Sequence, residues 1–406
     1  MLVRPLRVAL VSMHTSPTDR PGSGDAGGMN VVERHQAESL AALGHDVELI
    51  TRRADPDLPE VVELSSGVRL RQVTAGPVEV LAKSRQDVFT DEFSARLAEL
   101  EPYDLIHSHH WMSGVAALPV ARTWSVPHVQ SFHSVAALPG SPLAHGERPE
   151  SPGRVGGEAM IAQRSDRIVA ISRYEAATAV NRCGADPARV VVVPPGVDHR
   201  LFRPPEPGEP SWSDGRPDVE HGYVFFAARL QPLKAPDLAV AAMARVPAPI
   251  RPHLVVAGEG SADFPDYLAE LDRLVRNTGL AGHVTFLGPQ SREDLATLMR
   301  GARLMLVPSH SETFGLVALE AAASGVPVIA ADAGGLGEAV VHGRTGLVLA
   351  DRDADSWARA ITGLLTDEPT RSAMASEARR HARGFDWGVV GERLSTIYAD
   401  LVEEHR

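Results

Sequence analysis

Along the whole chain, short apolar runs rich in Val, Ile and Leu alternate with longer segments whose apolar residues recur at helical spacing. A strand that is apolar throughout is buried on both faces, which a parallel sheet with helices on each side provides. The class is therefore α/β. Strands are predicted in the first half near Arg7–Ser12, Asp46–Thr51, Val68–Val73, Leu105–His107, His128–Ser131, Ile168–Ile171 and Val190–Val193, with helices near Gly28–Leu43, Val88–Leu100, Met112–Thr123, Val155–Arg164 and Tyr174–Arg182. The pattern stops between Pro194 and Gly222, where Pro194, Pro195, Pro204, Pro205, Pro207, Pro210 and Pro217 exclude both helix and central strand. This stretch reads as a linker. Strands then resume near Tyr223–Ala227, Pro252–Ala257, Val284–Leu287, Leu304–Val307 and Val326–Ile329, with helices near Ala235–Ala244, Tyr267–Asn277, Arg292–Gly301 and Gly315–Ala323. Two similar units follow, residues 1–195 and 196–385, in keeping with 406 residues in all. Beyond Thr345–Leu349, apolar spacing such as Trp357, Ile361, Leu364 and Leu365 predicts helices that brace the two halves.

Charge and cysteine content narrow the function. Lys and Arg number 40 against 52 Asp and Glu, a net charge of −12, which argues against a nucleic acid or an anionic membrane held by bulk electrostatics. Any phosphate must be held locally. Cys183 is the only cysteine, so neither an internal disulfide nor a Cys-rich zinc site can form, and a cytoplasmic location is expected. The apolar run Val8–Val11 is too short for a signal peptide or a membrane span.

Two places offer local phosphate chemistry. Gly22, Gly24, Gly27 and Gly28 lie between the first strand and a helix, where backbone amides can face an anion with no side chain in the way. Their spacing fits neither the Walker nor the dinucleotide pattern, so a flexible connection explains them equally well. Asn30, one step into that helix, suits either a ligand contact or capping. In the second half, Arg229 and Lys234 follow a strand end, where open α/β sheets bind ligands, and their spacing lets both cations reach one diphosphate. Glu312 falls in the loop after another strand and Glu320 lies eight residues on, about one turn inside a helix. Carboxylates accept pairs of hydrogen bonds from vicinal hydroxyls, as on a hexose or a ribose, while the amides of Phe314, Gly315 and Leu316 can meet phosphate oxygens. A salt bridge and a helix cap would explain the two glutamates alone; the cations in the same half favour the ligand reading.

These residues match the E-x7-E motif of retaining GT-B glycosyltransferases, and nearly the whole chain resembles glycosyltransferase family 4. Within it, Met-His-Thr-Ser-Pro at 13–17, Gly-Ser-Gly-Asp-Ala-Gly-Gly-Met-Asn at 22–30 and Asp-Leu-Ile-His-Ser-His at 104–109 resemble the branch that glycosylates inositol 3-phosphate in mycothiol biosynthesis. The resemblance implies two Rossmann-like domains facing across a cleft, with the terminal helix 386–406 packed back on the first. It implies that Arg229 and Lys234 bind the donor pyrophosphate, Glu312 the hexose and Glu320 the ribose, with Gly28 approaching the phosphates and His133 beside the sugar hydroxyls. Asn30, Lys83, His110, Ser134 and Arg154 surround the acceptor by the same resemblance, Lys83 and Arg154 clasping an anionic group. Catalytic roles fall to His133, Arg229, Lys234 and Glu312.

The chain departs from that branch at His110 and Ser134, where Tyr and Thr are usual, and at Leu138-Pro139-Gly140-Ser141, which replaces a Lys-Asn pair. The acceptor can therefore differ, and a natural-product transferase is a second reading, such as one that S-glycosylates ergothioneine from a GDP-sugar in lincosamide assembly. A nucleotide-sugar 2-epimerase and a non-catalytic nucleotide-sugar sensor are the rivals from other classes. No metal is expected. His107 and His109 point one way along an extended segment and His110 the other, and Asp353-Ala354-Asp355 opens a late helix and reads as a cap. The expected reaction moves a hexosyl group from a UDP- or GDP-sugar to a small anionic acceptor with retention and no cofactor. Partners are small molecules, with a homodimer left open.

Overall fold

The computed structural model describes residues 4–20, 22, 26–136, 151–216, 219–261 and 264–406. Gly24, Pro217 and the Leu138–Ser141 replacement lie outside the described residues. Two sheets carry the fold. The first contains β1 Arg7–Ser12, β2 Asp46–Arg52, β3 Val61–Ser65, β4 Val68–Val73, β5 Leu105–His109, β6 His128–Ser131, β7 Arg167–Ala170 and β8 Val190–Val192. Their spatial order is β3-β4-β2-β1-β5-β6-β7-β8, parallel except for the antiparallel β3–β4 pair. The second contains β9 Tyr223–Ala227, β10 His253–Ala257, β11 Val284–Gly288, β12 Leu304–Val307, β13 Val328–Ala331 and β14 Gly346–Leu349. Its order is β11-β10-β9-β12-β13-β14, all parallel.

Double-sided burial explains the apolar runs: five of the six residues of β1 are buried, and all of β10, β12 and β13 are. The edge strand β3 has no such run, because none of its residues is fully buried, and it was not predicted. The strand expected at Val326–Ile329 runs instead over Val328–Ala331, because Pro327 has no N–H for a ladder and serves only as an acceptor, from the Met305 amide.

In both sheets the strand order reverses beside the first strand of the unit, between β1 and β5 and between β9 and β12. Crevices at the carboxyl ends of such switch points are where open α/β sheets take ligands. Contacts between the two units bring these ends together: Thr313 Oγ1 donates to the His133 carbonyl at 2.6 Å, and the Glu259 amide donates to the Gly22 carbonyl at 3.2 Å. Trp357, Ile361, Leu364 and Leu365 sit in the core of the second sheet. The last helix, Trp387–Glu404, packs on the first sheet instead, with Leu394 and Tyr398 in the core of β1 and β2, and Tyr398 Oη 2.6 Å from His107 Nδ1. Among the described residues, no helix is long and apolar enough to cross a membrane.

Candidate active site

The second sheet supplies two ion pairs. Lys234 closes a short turn after β9, and its Nζ lies 2.7 Å from Glu312 Oε1 in the loop after β12. Ser309 Oγ donates to the same oxygen at 2.9 Å. Glu320 lies in the helix Leu316–Ala323, buried at 2% exposure, which raises its pKa; Arg292 opposes that shift from 2.6 Å away. Arg292 was not among the residues expected from sequence, and its 28-residue separation from Glu320 explains why. Arg229, half-buried two residues past β9, adds a further positive charge whose field reaches His14.

Gly315, at φ +95°, caps the helix with its backbone, which leaves the amides of Phe314, Gly315 and Leu316 at the helix start; the Phe314 ring is buried against Phe385. Gly334 and Gly335 press on this loop from below: a Cβ at Gly335 would stand 2.0 Å from the Thr313 carbonyl oxygen, and the Gly335 amide donates to the Glu312 carbonyl at 2.8 Å. Gly335→Ala must push the Glu312 loop outward. On the sequence expectation that Glu312 holds the donor sugar, steady-state kinetics should then show a fall of about 10²-fold in kcat/KM for donor, the cost of misplacing a binding group by about 1 Å.

In the first sheet, the helix Gly28–Ala42 starts after the glycine-rich loop, and a Cβ on Gly27 or Gly28 would meet nothing within 4 Å, so the backbone there faces open space. Asn30 is largely committed to the loop. Its Oδ1 accepts from the Gly27 amide at 2.9 Å, and its Nδ2 donates to Thr15 Oγ1 at 3.0 Å and to the Ser16 carbonyl at 2.7 Å.

Beyond β1 and β5 stands a pair of imidazoles, His14 and His110, with ring centroids 4.2 Å apart. Both are buried, His110 holds a left-handed backbone at φ +70°, and three of their four nitrogens, His14 Nδ1 and both of His110, have no hydrogen-bond partner among the described residues. Burial first, and then Lys83 and Arg154 nearby, hold both rings well below the usual histidine pKa and therefore neutral. Arg154 is anchored by Glu158 (Nε to Oε1, 2.8 Å) and donates to the Ser134 hydroxyl at 3.0 Å. The structure thus gathers Lys83, His110, Ser134 and Arg154 into one cationic pocket and adds His14, which no spacing argument singles out. Asn30 stands at its edge through Thr15.

His133 is at the seam, with φ +59° and its carbonyl held by Thr313 of the other unit. Its Nε2 lies 2.8 Å from His109 Nδ1, and the same His109 Nδ1 is 3.9 Å from Oε1 of the fully buried Glu33. Burial drives the Glu33 pKa well above the usual carboxylate range and lowers that of His133 to about 3. Behind His133, Glu175 Oε2 accepts from the Ile171 amide at 2.6 Å, and burial raises the Glu175 pKa to about 7. As the alternation along β5 predicts, the His107 and His109 rings are neighbours at 4.3 Å while His110 turns to His14. Asp353 caps the helix Ala354–Thr366, accepting from the Ser356 amide.

Among the described residues, Glu33, His109 and His133 are the group whose ligand atoms approach within 4.8 Å of one another and could hold a metal ion. They come from three separate elements, which sequence spacing cannot reveal. Two nitrogens on one tetrahedral ion at about 2.0–2.1 Å each would stand about 3.3 Å apart. The observed 2.8 Å is a hydrogen-bond separation.

Residues 26–201 match the glycosyltransferase family 4 model and residues 214–381 the model of glycosyl transferases group 1. A D-inositol 3-phosphate glycosyltransferase of Kineococcus radiotolerans is 43% identical, covering 98% of this chain and 96% of its own. That of Mycobacterium tuberculosis is 42% identical, covering 99% and 84%. Sucrose-phosphate synthase from Thermosynechococcus elongatus superposes with a TM-score of 0.86 at 28% identity, over 98% of this chain and 99% of that one. HepE from Anabaena, solved in complex with UDP-glucose, gives 0.78 at 20% identity, over 98% and 100%. Two parallel sheets whose switch points face each other across cations, carboxylates and open helix starts define a GT-B glycosyltransferase. The chain belongs to glycosyltransferase family 4.

Proposed function

We propose that the protein transfers a hexosyl group from a nucleotide diphosphate sugar to a small anionic acceptor with retention at the anomeric carbon. The observation that carries this reading is the pairing of Lys234 with Glu312 and of Arg292 with Glu320 at the switch point of the second sheet. Each pair holds one partner suited to phosphate or nucleotide and one suited to sugar hydroxyls. Arg229 and Lys234 neutralise the diphosphate, the amides of 314–316 and the backbone at Gly28 meet its oxygens, Glu312 takes the hexose, and Glu320, oriented by Arg292, takes the ribose. His133 meets a sugar hydroxyl. Retention through a covalent sugar–enzyme intermediate would need a carboxylate at the reacting face. Glu33, whose Oε1 is 3.9 Å from His109 Nδ1, is fully buried behind that ring and presents no carboxylate to a sugar. The reading is therefore front-face attack: the bond from the anomeric carbon to phosphate oxygen breaks, the acceptor's oxygen or sulfur bonds on the same face, and the departing phosphate oxygen takes the acceptor's proton.

Lys83 and Arg154 select an anionic group on the acceptor, as the inositol 3-phosphate named for the relatives would carry. His14 and His110 support a second acceptor reading, because neutral rings with open nitrogens can meet a donor or an acceptor group that a Tyr would meet with its hydroxyl alone. Incubation with UDP- and GDP-sugars against inositol 3-phosphate and ergothioneine tests both, with products read by mass spectrometry and anomeric configuration by NMR. The proposal predicts an α-linked product from an α-linked donor. An inverted product, or epimerised donor formed without acceptor, would overturn it.

A further inference from the structure

The helix Arg173–Cys183 lies in the first unit, and its first backbone amides need acceptors that a helix cannot supply to itself. Ser172 takes one with its side chain, from the Glu175 amide at 2.9 Å. The two amides before it are taken by the other unit. Glu338 Oε1 accepts from the Arg173 amide at 2.8 Å and from the Tyr174 amide at 3.3 Å, while its Oε2 lies 3.5 Å from Arg173 Nε. A carboxylate at a helix start is favoured by the helix dipole as well as by these bonds. Glu338 also belongs to the segment that supports the loop carrying Glu312. The Gly335 amide donates to the Glu312 carbonyl at 2.8 Å. A Cβ at Gly334 would stand 2.0 Å from that carbonyl oxygen and 3.3 Å from Tyr174 Cε1, so Gly334 is enclosed between the Glu312 loop and a ring of the first unit. Residues 334–338 therefore touch Glu312 at one end and the first unit at the other.

We propose that Glu338 is a positioning residue: by capping the helix Arg173–Cys183 from the opposite unit, it fastens the Glu312 loop to the first unit and so sets donor against acceptor. The setting of donor against acceptor rests on the proposed function; the fastening does not. Glu338 acts through Gly335 and Glu312.

The test compares full-length Glu338→Ala, Glu338→Gln and Arg173→Pro with the wild type and with Ser172→Ala. Arg173→Pro breaks the contact from the first unit's side, deleting the shorter amide bond and the guanidinium. Proline is tolerated at the first position of a helix, and Ser172 already has the extended backbone, φ −154° and ψ 162°, that a following proline needs. Ser172→Ala weakens the start of the same helix from inside the first unit. Amide exchange is read by mass spectrometry without substrate. Glu338→Ala and Arg173→Pro should each speed exchange at Gly335 about fivefold, the size of effect a lost helix cap produces. Ser172→Ala should speed exchange in its own helix alone. In the transfer assay kcat should fall roughly 10- to 100-fold in Glu338→Ala and Arg173→Pro, the cost of misplacing reacting groups by about 1 Å. KM for the donor should change little, since the cations and carboxylates that hold it lie on the second unit. Glu338→Gln keeps an oxygen for both amides and loses only the ion pair to an Arg173 side chain that is 86% exposed, so it should keep most of the rate. The double variant Glu338→Ala/Arg173→Pro should be no slower than either single one. Unchanged exchange at Gly335 in Glu338→Ala, an equal fall of kcat in Ser172→Ala, or additive losses in the double variant would each overturn the assignment. Because exchange is read in the free enzyme, failure of the fastening is separate from failure of the donor site, which the product assay reports.

Discussion

Lys234→Ala should lower kcat/KM for the donor by about 10²- to 10³-fold, the range for removing one charge-stabilising group from a transition state. Two losses combine. The departing diphosphate loses a cation, and Glu312, now without the Nζ at 2.7 Å, keeps only the Ser309 hydroxyl and leaves its negative charge uncompensated beside the diphosphate. Glu312→Ala removes a sugar contact and leaves Lys234 free to bind phosphate, so donor binding should suffer less than in Lys234→Ala while kcat falls. The double variant should be no worse than Lys234→Ala alone, because deleting Glu312 also deletes the repulsion. Kinetics of the four proteins check this. Additive losses would mean that the two residues act independently and that their pairing is incidental.

Stability should fall steeply below about pH 6. His14, His107, His109, His110, His128 and His133 are all held below the ordinary histidine pKa, with burial the largest cause in each. A base with a depressed native pKa contributes stability above its unfolded value and loses it as pH falls. These six therefore favour the unfolded chain, which can take up six protons, once pH drops below about 6.5. Glu33, Glu175 and Glu320 act in the opposite sense, because burial raises their native pKa values and the native state takes up protons there first. The histidines outnumber these carboxyls six to three, so unfolding takes up protons on balance below about pH 6.5 and stability falls as the pH drops. Urea unfolding at pH 7.5, 6 and 5 measures it, and a midpoint unchanged across that range would contradict the neutral state of the cluster.

What the sequence reveals is what lies close along it. Double-sided burial shows as an apolar run, so β1, β9, β10 and β12 can be read directly, while the half-exposed edge strand β3 cannot. Glu312 and Glu320 are legible because a loop and the helix after it hold them at fixed spacing. Their partners are less so: Lys234 lies 78 residues from Glu312 and Arg292 lies 28 from Glu320, and only the sheet order brings them together. The Glu33, His109 and His133 group is harder still, since a helix, a strand and a loop each supply one member. Asn30 shows the reverse. Its position suits a ligand contact, yet most of its hydrogen-bonding capacity is spent on Gly27, Thr15 and Ser16. Local rules say that such a residue is polar and near the loop; they do not say where its protons go.

The central claim is that Arg229, Lys234, Glu312 and Glu320 converge on one activated sugar between the two sheets. A crystal structure with a bound nucleotide diphosphate sugar tests it most directly. The diphosphate should lie against Arg229 and Lys234, with the hexose on Glu312, the ribose on Glu320 and the backbone at Gly28 within reach of a phosphate oxygen. A nucleotide bound elsewhere, with the Lys234–Glu312 and Arg292–Glu320 pairs undisturbed, would contradict it.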